Sequence, residues 1–316
     1  MKKLAIIDDY EQVALGLADW SALDGDVEIS VFHDHLYDED EIAARLADFE
    51  IICMMRERTP FPRSLIEKLP KLEHLFTSGM RNWSLDTEAA RDNGIAVTGT
   101  PTLSYPASEH AWALILALAK RVTVEDAATR SGRFGTGVSL GLRDKTLGII
   151  GLGKLGAQVA DVGKAFGMNV TAWSTNLTEE ACKEAGVNYA TKEAFYGNAD
   201  FISIHVHLGT RNKGLVGAAE IAMMKRSAYL INTARGPVID EAALIAALRD
   251  GVIAGAGLDV FEVEPLAADN PLLSMDNVVL TPHQGYVTRE NYVNFFEAAV
   301  ANVRSWLDGT VINELP

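Results

Sequence analysis

The sequence predicts an α/β protein of two domains, each with a doubly wound parallel sheet, and three features support this fold class. The chain has 316 residues, which is longer than a chain that folds around a single hydrophobic core usually is. Short apolar runs alternate with segments of helical pattern, and this alternation is typical of parallel sheets. The alternation stops at the Gly- and Pro-containing stretch Thr98–Thr102 and then begins again.

The elements of the first half are short strands followed by one long helix. Little polar sequence interrupts the apolar residues from about Ser108 to Ala128, which predicts an enclosed helix there. The expected strands are Leu4–Ile7, Ile51–Met55, Leu75–Thr77 and Ala96–Thr98.

The second half repeats the strand–helix pattern from Thr146 onward. A Gly-rich turn follows its first strand and precedes a helix over 157–166, and a final long helix is expected at about Arg289–Leu307. The expected strands are Leu147–Ile150, Asn169–Trp173, Phe201–His205, Ala228–Asn232, Gly255–Asp259 and Val278–Thr281.

Composition and charge argue against several classes of protein. The formal net charge of −15 argues against a nucleic-acid partner, which would need clustered Lys and Arg. Cys53 and Cys182 lack the spacing of a disulfide framework or of a metal site, so we predict no bound metal. The apolar run Ala111–Ala119 is too short to cross a bilayer, and acidic residues follow Met1 too soon for a signal peptide. We therefore expect a cytoplasmic protein that does not engage a membrane.

A glycine motif lies where a predicted strand meets a predicted helix, and it reads Gly151-Leu152-Gly153-Lys154-Leu155-Gly156. In this context the glycines permit a tight turn and a close approach of the backbone to a pyrophosphate, which the helix N-terminus then faces. The motif predicts a dinucleotide site.

The strand after this helix does not end in the acid that usually holds the adenosine ribose. The sequence there is Trp173-Ser174-Thr175-Asn176, and the acids Glu179 and Glu180 follow. Because no cation is present where a 2′-phosphate would lie, NAD is favoured as coenzyme, and NADP stays open.

Three further segments each begin near the carboxyl end of a predicted strand, where an open α/β sheet binds its ligand. They bring one Arg, one Glu and one His toward the expected nicotinamide, as reduction of a 2-keto acid requires. The segments are Asn232-Thr233-Ala234-Arg235-Gly236-Pro237, Gly257–Pro265 and Thr281-Pro282-His283-Gln284-Gly285.

With these motifs the chain closely resembles the D-isomer-specific 2-hydroxyacid dehydrogenase family over nearly its whole length. The resemblance implies two Rossmann-like domains with the active site in the cleft between them. The substrate domain would comprise 1–100 plus 287–316, and the dinucleotide-binding domain 101–286. It also implies a homodimer built on the helix at 108–128.

The resemblance implies a role for each chemical group. Arg235 would hold the substrate carboxylate and polarise the keto oxygen through its fork of donors. His283 would be the general acid in reduction and the general base in oxidation, since imidazole titrates near neutral pH. Glu264 would orient His283 and favour its protonated form.

The same resemblance extends the coenzyme site beyond the glycine motif. Asp259 would lie near the nicotinamide carboxamide, although a turn-capping role fits it equally well. The further residues implied at the coenzyme are Ser174, Thr175, His205, Thr233 and Ala234.

In the first domain, Ser78 and Gly79 match a family loop whose backbone amides grip the substrate carboxylate. Met55 and Arg56 either line the entrance of the same substrate pocket or pack at the end of a strand. Three departures from the family pattern leave the shape of the substrate pocket open: Arg81, Gln284 and Tyr286.

The function predicted from these residues is hydride transfer between NAD(P)H and a small 2-keto acid or D-2-hydroxy acid of the glyoxylate or hydroxypyruvate type. Two alternatives stay open. One is a coenzyme-sensing protein-interaction module of the same superfamily, and the other is a 3-phosphoglycerate dehydrogenase.

Overall fold

A computed structural model describes residues 1–315, which form two compact units. Unit 1 comprises Met1–Leu103 and the chain from Val287 onward, and unit 2 is Ser104–Tyr286. Each unit contains a wholly parallel sheet with helices, so the prediction of two parallel-sheet α/β domains is confirmed. None of the helices in the described chain is long and apolar enough to cross a membrane.

The elements are numbered here in chain order. The strands are β1 (Lys2–Ile6), β2 (Val27–Val31), β3 (Ile51–Met54), β4 (His74–Thr77), β5 (Ala96–Gly99), β6 (Thr146–Ile150), β7 (Asn169–Trp173), β8 (Asn188–Tyr189), β9 (Phe201–Ile204), β10 (Tyr229–Asn232), β11 (Gly255–Leu258) and β12 (Val278–Leu280). The α-helices are α1 (Glu39–Leu46), α2 (Arg63–Ile66), α3 (Thr87–Asp92), α4 (Pro106–Lys120), α5 (Val122–Arg130), α6 (Lys154–Ala165), α7 (Glu179–Glu184), α8 (Lys192–Asn198), α9 (Ala218–Met223), α10 (Glu241–Arg249) and α11 (Arg289–Leu307).

The sheet of unit 1 has the strand order β2-β1-β3-β4-β5. Strands β3 and β4 are buried along their whole length, as central parallel strands covered on both faces must be. Helix α11 joins this core from the far end of the chain: Phe296 packs on Trp20 with ring centroids 6.3 Å apart, and Asn302 donates to the carbonyl of Gly99 at 2.8 Å. Both ends of the chain therefore build unit 1.

The sheet of unit 2 has the order β12-β11-β10-β9-β6-β7-β8. The direction of winding reverses between β6 and β9, and ligands of doubly wound sheets bind beyond the carboxyl ends of strands at such a reversal. The Gly-rich turn after β6 and His205 after β9 lie at this place. The topology thus positions the candidate coenzyme residues.

The structure corrects three details of the predicted elements. The helix expected over 108–128 is two helices, because Arg121 adopts a left-handed φ of 57° that ends α4 and separates it from α5. The helix expected from 157 begins at Lys154, so the last three residues of the glycine motif lie in its first turn. Strands β2 and β8 were not predicted. Both are edge strands; most residues of β2 are half-exposed, and both residues of the short β8 are exposed.

Candidate active site

An imidazole and a carboxylate form the centre of the candidate site in unit 2. His283 Nδ1 lies 2.6 Å from Glu264 Oε2, and the side chains are 22% and 32% exposed. Glu264 Oε1 also accepts the backbone N–H of Phe261 at 2.9 Å, which fixes the carboxylate. Because a carboxylate only accepts, Nδ1 carries the shared proton, and Nε2 is left to exchange a proton with a ligand.

The turn that carries His283 is folded around the buried carboxylate of Asp259. Asp259 is fully buried, and its Oδ1 accepts the Thr281 hydroxyl and the Gln284 backbone N–H, each at 2.6 Å. Its Oδ2 accepts the N–H of Gly285 at 2.8 Å. His283 itself has a left-handed φ of 55°, an unfavourable conformation for a residue with a Cβ, so these bonds hold a strained turn in place.

Tyr286 flanks the imidazole on another side. Its ring meets that of His283 edge to face, with centroids 5.4 Å apart and an interplanar angle of 80°. Such aromatic pairs are favourable and directional, so Tyr286 restricts rotation of the imidazole. Of the three departures from the family pattern, this one therefore lies directly against the candidate acid.

Arg235 follows β10, the neighbour of the strand that leads to Glu264. Asn232 clamps the intervening turn: its amide nitrogen donates to the carbonyl of Arg235 at 2.9 Å, and its oxygen accepts the N–H of Ala234 at 3.0 Å. The half-buried guanidinium of Arg235 donates to the carbonyl of Ala234 at 2.7 Å. The turn thus presents a preorganised cation at the carboxyl edge of the sheet.

The glycine motif has the geometry that a pyrophosphate site needs. Gly151 has a φ of 92°, and a Cβ there would lie 2.7 Å from Val206 Cγ1. A Cβ at Gly156 would overlap the carbonyl oxygen of Gly151, so only glycine lets α6 pack this close to the turn. Gly153, the residue before α6, is exposed with nothing within 4 Å of its Cβ position. The unpaired N–H groups of the first turn of α6, at Lys154 and Leu155, are therefore approachable by an anion.

Other residues predicted at the coenzyme lie at the ends of adjacent strands. The side-chain oxygen of Thr233 is buried and has no hydrogen-bond partner among residues 1–315, so it offers a polar group to a ligand. Burial lowers the pKa of His205 to about 4, so this imidazole is neutral, and its Nε2 lies 2.8 Å from Ser203 Oγ. Ser174 is half-buried and Thr175 is exposed just beyond β7. The unpaired hydroxyl of Thr233 and the glycine motif are together compatible with a bound dinucleotide.

The loop of Ser78 and Gly79 lies in unit 1. Ser78 Oγ accepts the N–H of Arg56 at 2.9 Å and donates to Met55 Sδ at 3.2 Å, while Arg56 NH1 donates to the carbonyl of Ser78 at 3.1 Å. A Cβ at Gly79 would overlap this guanidinium. Met55 therefore packs beneath the loop, whereas Arg56 places a cation against the amides predicted to bind a carboxylate. Arg81 is exposed.

Known proteins resemble this chain in sequence over most of its length. The sequence model described as D-isomer specific 2-hydroxyacid dehydrogenase, NAD binding domain, matches residues 112–285. A glyoxylate reductase of Aeropyrum pernix is 40% identical over 257 residues, which cover 78% of this chain and 77% of that protein.

Solved structures agree over almost the whole chain. A phosphoglycerate oxidoreductase of Vibrio cholerae superimposes with a TM-score of 0.93 at 32% identity, covering 98% of this chain and all of that one. A D-lactate dehydrogenase of Aquifex aeolicus, solved with NAD and lactic acid, gives a TM-score of 0.77 at 28% identity, with 97% of this chain and 96% of that one covered.

Proposed function

Because the chain belongs to the D-isomer specific 2-hydroxyacid dehydrogenase family, whose NAD-binding domain it contains, we propose that it reduces a small 2-keto acid of the glyoxylate or hydroxypyruvate type to the 2-hydroxy acid. The observation that supports this most is the 2.6 Å contact between His283 and Glu264 at the carboxyl edge of the sheet. A positioned imidazole with a carboxylate partner is the group that proton transfer to a keto oxygen needs.

The residues divide the chemistry among themselves. Arg235 binds the substrate carboxylate and draws electron density from the keto oxygen. His283 delivers a proton from Nε2 to that oxygen as C2 becomes tetrahedral, and Glu264 stabilises the imidazolium before transfer. When bound, the reduced nicotinamide supplies the hydride that C2 receives. In oxidation, His283 takes the hydroxyl proton.

The coenzyme would be held by the glycine motif and by the strand-end residues around it. Gly151, Gly153 and Gly156, with the N–H groups of Lys154 and Leu155, would cradle the pyrophosphate. Ser174 and Thr175 would lie at the adenosine ribose, whereas His205, Thr233, Ala234 and Asp259 would lie toward the nicotinamide. We favour NAD over NADP because Ser174 and Thr175 carry no positive charge.

A phosphorylated keto acid is a second candidate substrate, and Arg56 is the observation that favours it. Its guanidinium lies against Gly79 and so adds a cation beside the amides that would hold the carboxylate. Arg56→Met should then lower kcat/KM for 3-phosphohydroxypyruvate far more than for glyoxylate.

We also propose a homodimer, because apolar side chains in α5 and in the segment after it are exposed. Phe134 and Val138 are each 95% exposed, and Val122 is 54% exposed. Apolar groups this exposed are typical of surfaces that a partner covers. Light scattering should give about twice the 34.2 kDa chain mass. The cytoplasm is the expected compartment, since Cys53 and Cys182 are both free thiols.

A kinetic screen tests the proposed function. NADH and NADPH consumption is followed with glyoxylate, hydroxypyruvate, pyruvate and 3-phosphohydroxypyruvate, for the wild type and for His283→Ala. We expect turnover of at least one unphosphorylated acid, lowered about 10²- to 10⁴-fold in the variant, with coenzyme affinity unchanged. Tight coenzyme binding without turnover of any acid would favour the sensor alternative instead.

A further inference from the structure

His110 reaches the turn of His283 from a distant part of the sequence. It lies on α4, and its Nε2 is 2.8 Å from Thr281 Oγ1 and 3.1 Å from Asp259 Oδ1. The side chain is 18% exposed, so most of it is enclosed by the protein. The contact joins residues 171 positions apart in the sequence. His110 belongs neither to the coenzyme motif nor to the segments of the acid–base residues.

The neighbours of His110 determine that its Nε2 is a hydrogen-bond donor. Thr281 has one hydroxyl proton, and the 2.6 Å distance to Asp259 Oδ1 commits it to the carboxylate. Both oxygens near His110 are then acceptors, so its Nε2 carries a proton and donates toward them. His110 therefore adds a donor to a buried carboxylate that already receives three.

The first turn of α4 also packs against the same turn of backbone. A Cβ at Gly285 would lie 3.0 Å from Asp259 Oδ2 and 3.7 Å from the Cα of Ala107. Ala107 precedes His110 by less than one helical turn, so α4 lies close to the turn at two points. The conformation of residues 281–285 thus depends on α4 as well as on β11 and β12.

On the basis of the proposed function, we propose that His110 is a positioning residue for His283. By donating to Thr281 and Asp259, it holds the strained turn in which His283 has its left-handed φ. That conformation keeps His283 Nδ1 within 2.6 Å of Glu264. His110 touches neither group of that pair, and it acts on proton transfer through the turn. Removal of the His110 donor alone should therefore weaken the contact between His283 and Glu264 and leave both of these side chains unchanged.

Three variants test the proposal. His110→Leu removes the donor and introduces an apolar side chain. His110→Gln restores an N–H donor at similar reach, and Glu109→Gln changes the exposed neighbour on α4 as a control. The measurements are kcat and KM, the coenzyme dissociation constant, the melting temperature, and the NMR signal of the proton between His283 and Glu264.

We expect His110→Leu to lower kcat about tenfold, with KM and coenzyme affinity within about twofold of the wild type. A 2.6 Å hydrogen bond should place the bridging proton signal far downfield in the wild type, and we expect this signal to broaden or disappear in His110→Leu. His110→Gln should restore both kcat and the signal, and the control should match the wild type. A purely structural role would lower the melting temperature and leave the signal of the folded protein intact.

The proposal is wrong if His110→Leu keeps the wild-type signal and kcat, or if His110→Gln is as impaired as His110→Leu. Should His110→Leu not fold, ¹⁵N spectra of the wild type decide the matter, because a neutral His110 protonated at Nδ1 instead of Nε2 contradicts it. If the wild type reduces no keto acid, the proposed function fails, and the two NMR measurements still judge the role of His110.

Discussion

The backbone of Gly236 lies directly against the carbonyl of Phe261, so closely that a Cβ on the glycine would overlap that oxygen. The turn that carries Arg235 and the segment that leads to Glu264 are therefore packed backbone to backbone. Since neither side of this contact is a flexible side chain, the spacing between cation and carboxylate depends on a residue without a Cβ.

Gly236→Ala should consequently separate these two segments. We expect a loss of about 1–3 kcal/mol in unfolding free energy and a fall in kcat/KM of at least about tenfold, because the backbone must shift to admit a methyl group. Denaturant unfolding and initial rates measure the two effects. Gly141→Ala is the matched control, since nothing lies within 4 Å of its Cβ position. Equal behaviour of the two variants would show that the packing is not needed.

Glu264→Gln should lower kcat/KM about 10- to 100-fold while leaving coenzyme affinity unchanged. The amide keeps the size of the side chain and removes the charge that stabilises the imidazolium. Glu262→Gln, at an exposed acid two residues earlier, is the control for net charge. Full activity of the Glu264 variant would exclude the carboxylate from the proton transfer.

Ser174→Asp should shift coenzyme preference further toward NADH. A carboxylate at the end of β7 accepts hydrogen bonds from the adenosine ribose and repels a 2′-phosphate. We expect kcat/KM with NADPH to fall at least about tenfold relative to NADH, measured with one keto acid for both coenzymes. Asn176→Asp, on an exposed residue of the same turn, controls for charge alone. An unchanged ratio would place the ribose elsewhere.

Stability should depend on pH through His74 of unit 1. This fully buried imidazole stacks on Trp306, and burial lowers its pKa to about 4 from an ordinary value of about 6.5. Below about pH 6.5 the unfolded chain binds a proton that the folded protein refuses, so stability falls as the pH drops toward 4. One such group contributes about 2 kcal/mol of loss between pH 7 and pH 5.

The measurement is the unfolding free energy at both pH values for the wild type and His74→Leu. The variant should lose about 2 kcal/mol less between them, whatever its stability at pH 7. His207→Gln, at an exposed imidazole, should retain the full pH dependence. A His74 variant with the wild-type slope would contradict the assignment.

Much of the fold could be predicted because local pattern and tertiary environment agree. Strand β3 is an uninterrupted apolar run, β9 has a single serine among apolar residues, and both are buried throughout. The glycine motif lies between β6 and α6, as its spacing indicates. Strand β2 was missed because an edge strand with mostly half-exposed residues lacks such a run. The break at Arg121 was missed because neither Gly nor Pro announces it.

The residues of the site likewise include some that the sequence indicates and some that it does not. Arg235, Glu264 and His283 could be chosen because each follows a strand in a recognisable segment, and the structure brings Glu264 and His283 into contact. The partnership of His110 with Asp259 could not be chosen, because it arises only when a helix packs beneath strands that come much later in the chain. In the sequence, the only indication was that His110 is a polar residue within a predominantly apolar helix.

The return of α11 to unit 1 has a consequence for synthesis on the ribosome. The five strands of unit 1 are translated before unit 2, yet the side chains that complete their core, among them Phe296, Asn302 and Trp306, are translated only after unit 2. Unit 2 is continuous in sequence and can fold as soon as it leaves the exit tunnel. The segment Met1–Leu103 of the nascent chain therefore lacks part of its core until α11 has been translated, and we expect this segment to depend most on chaperones in the meantime.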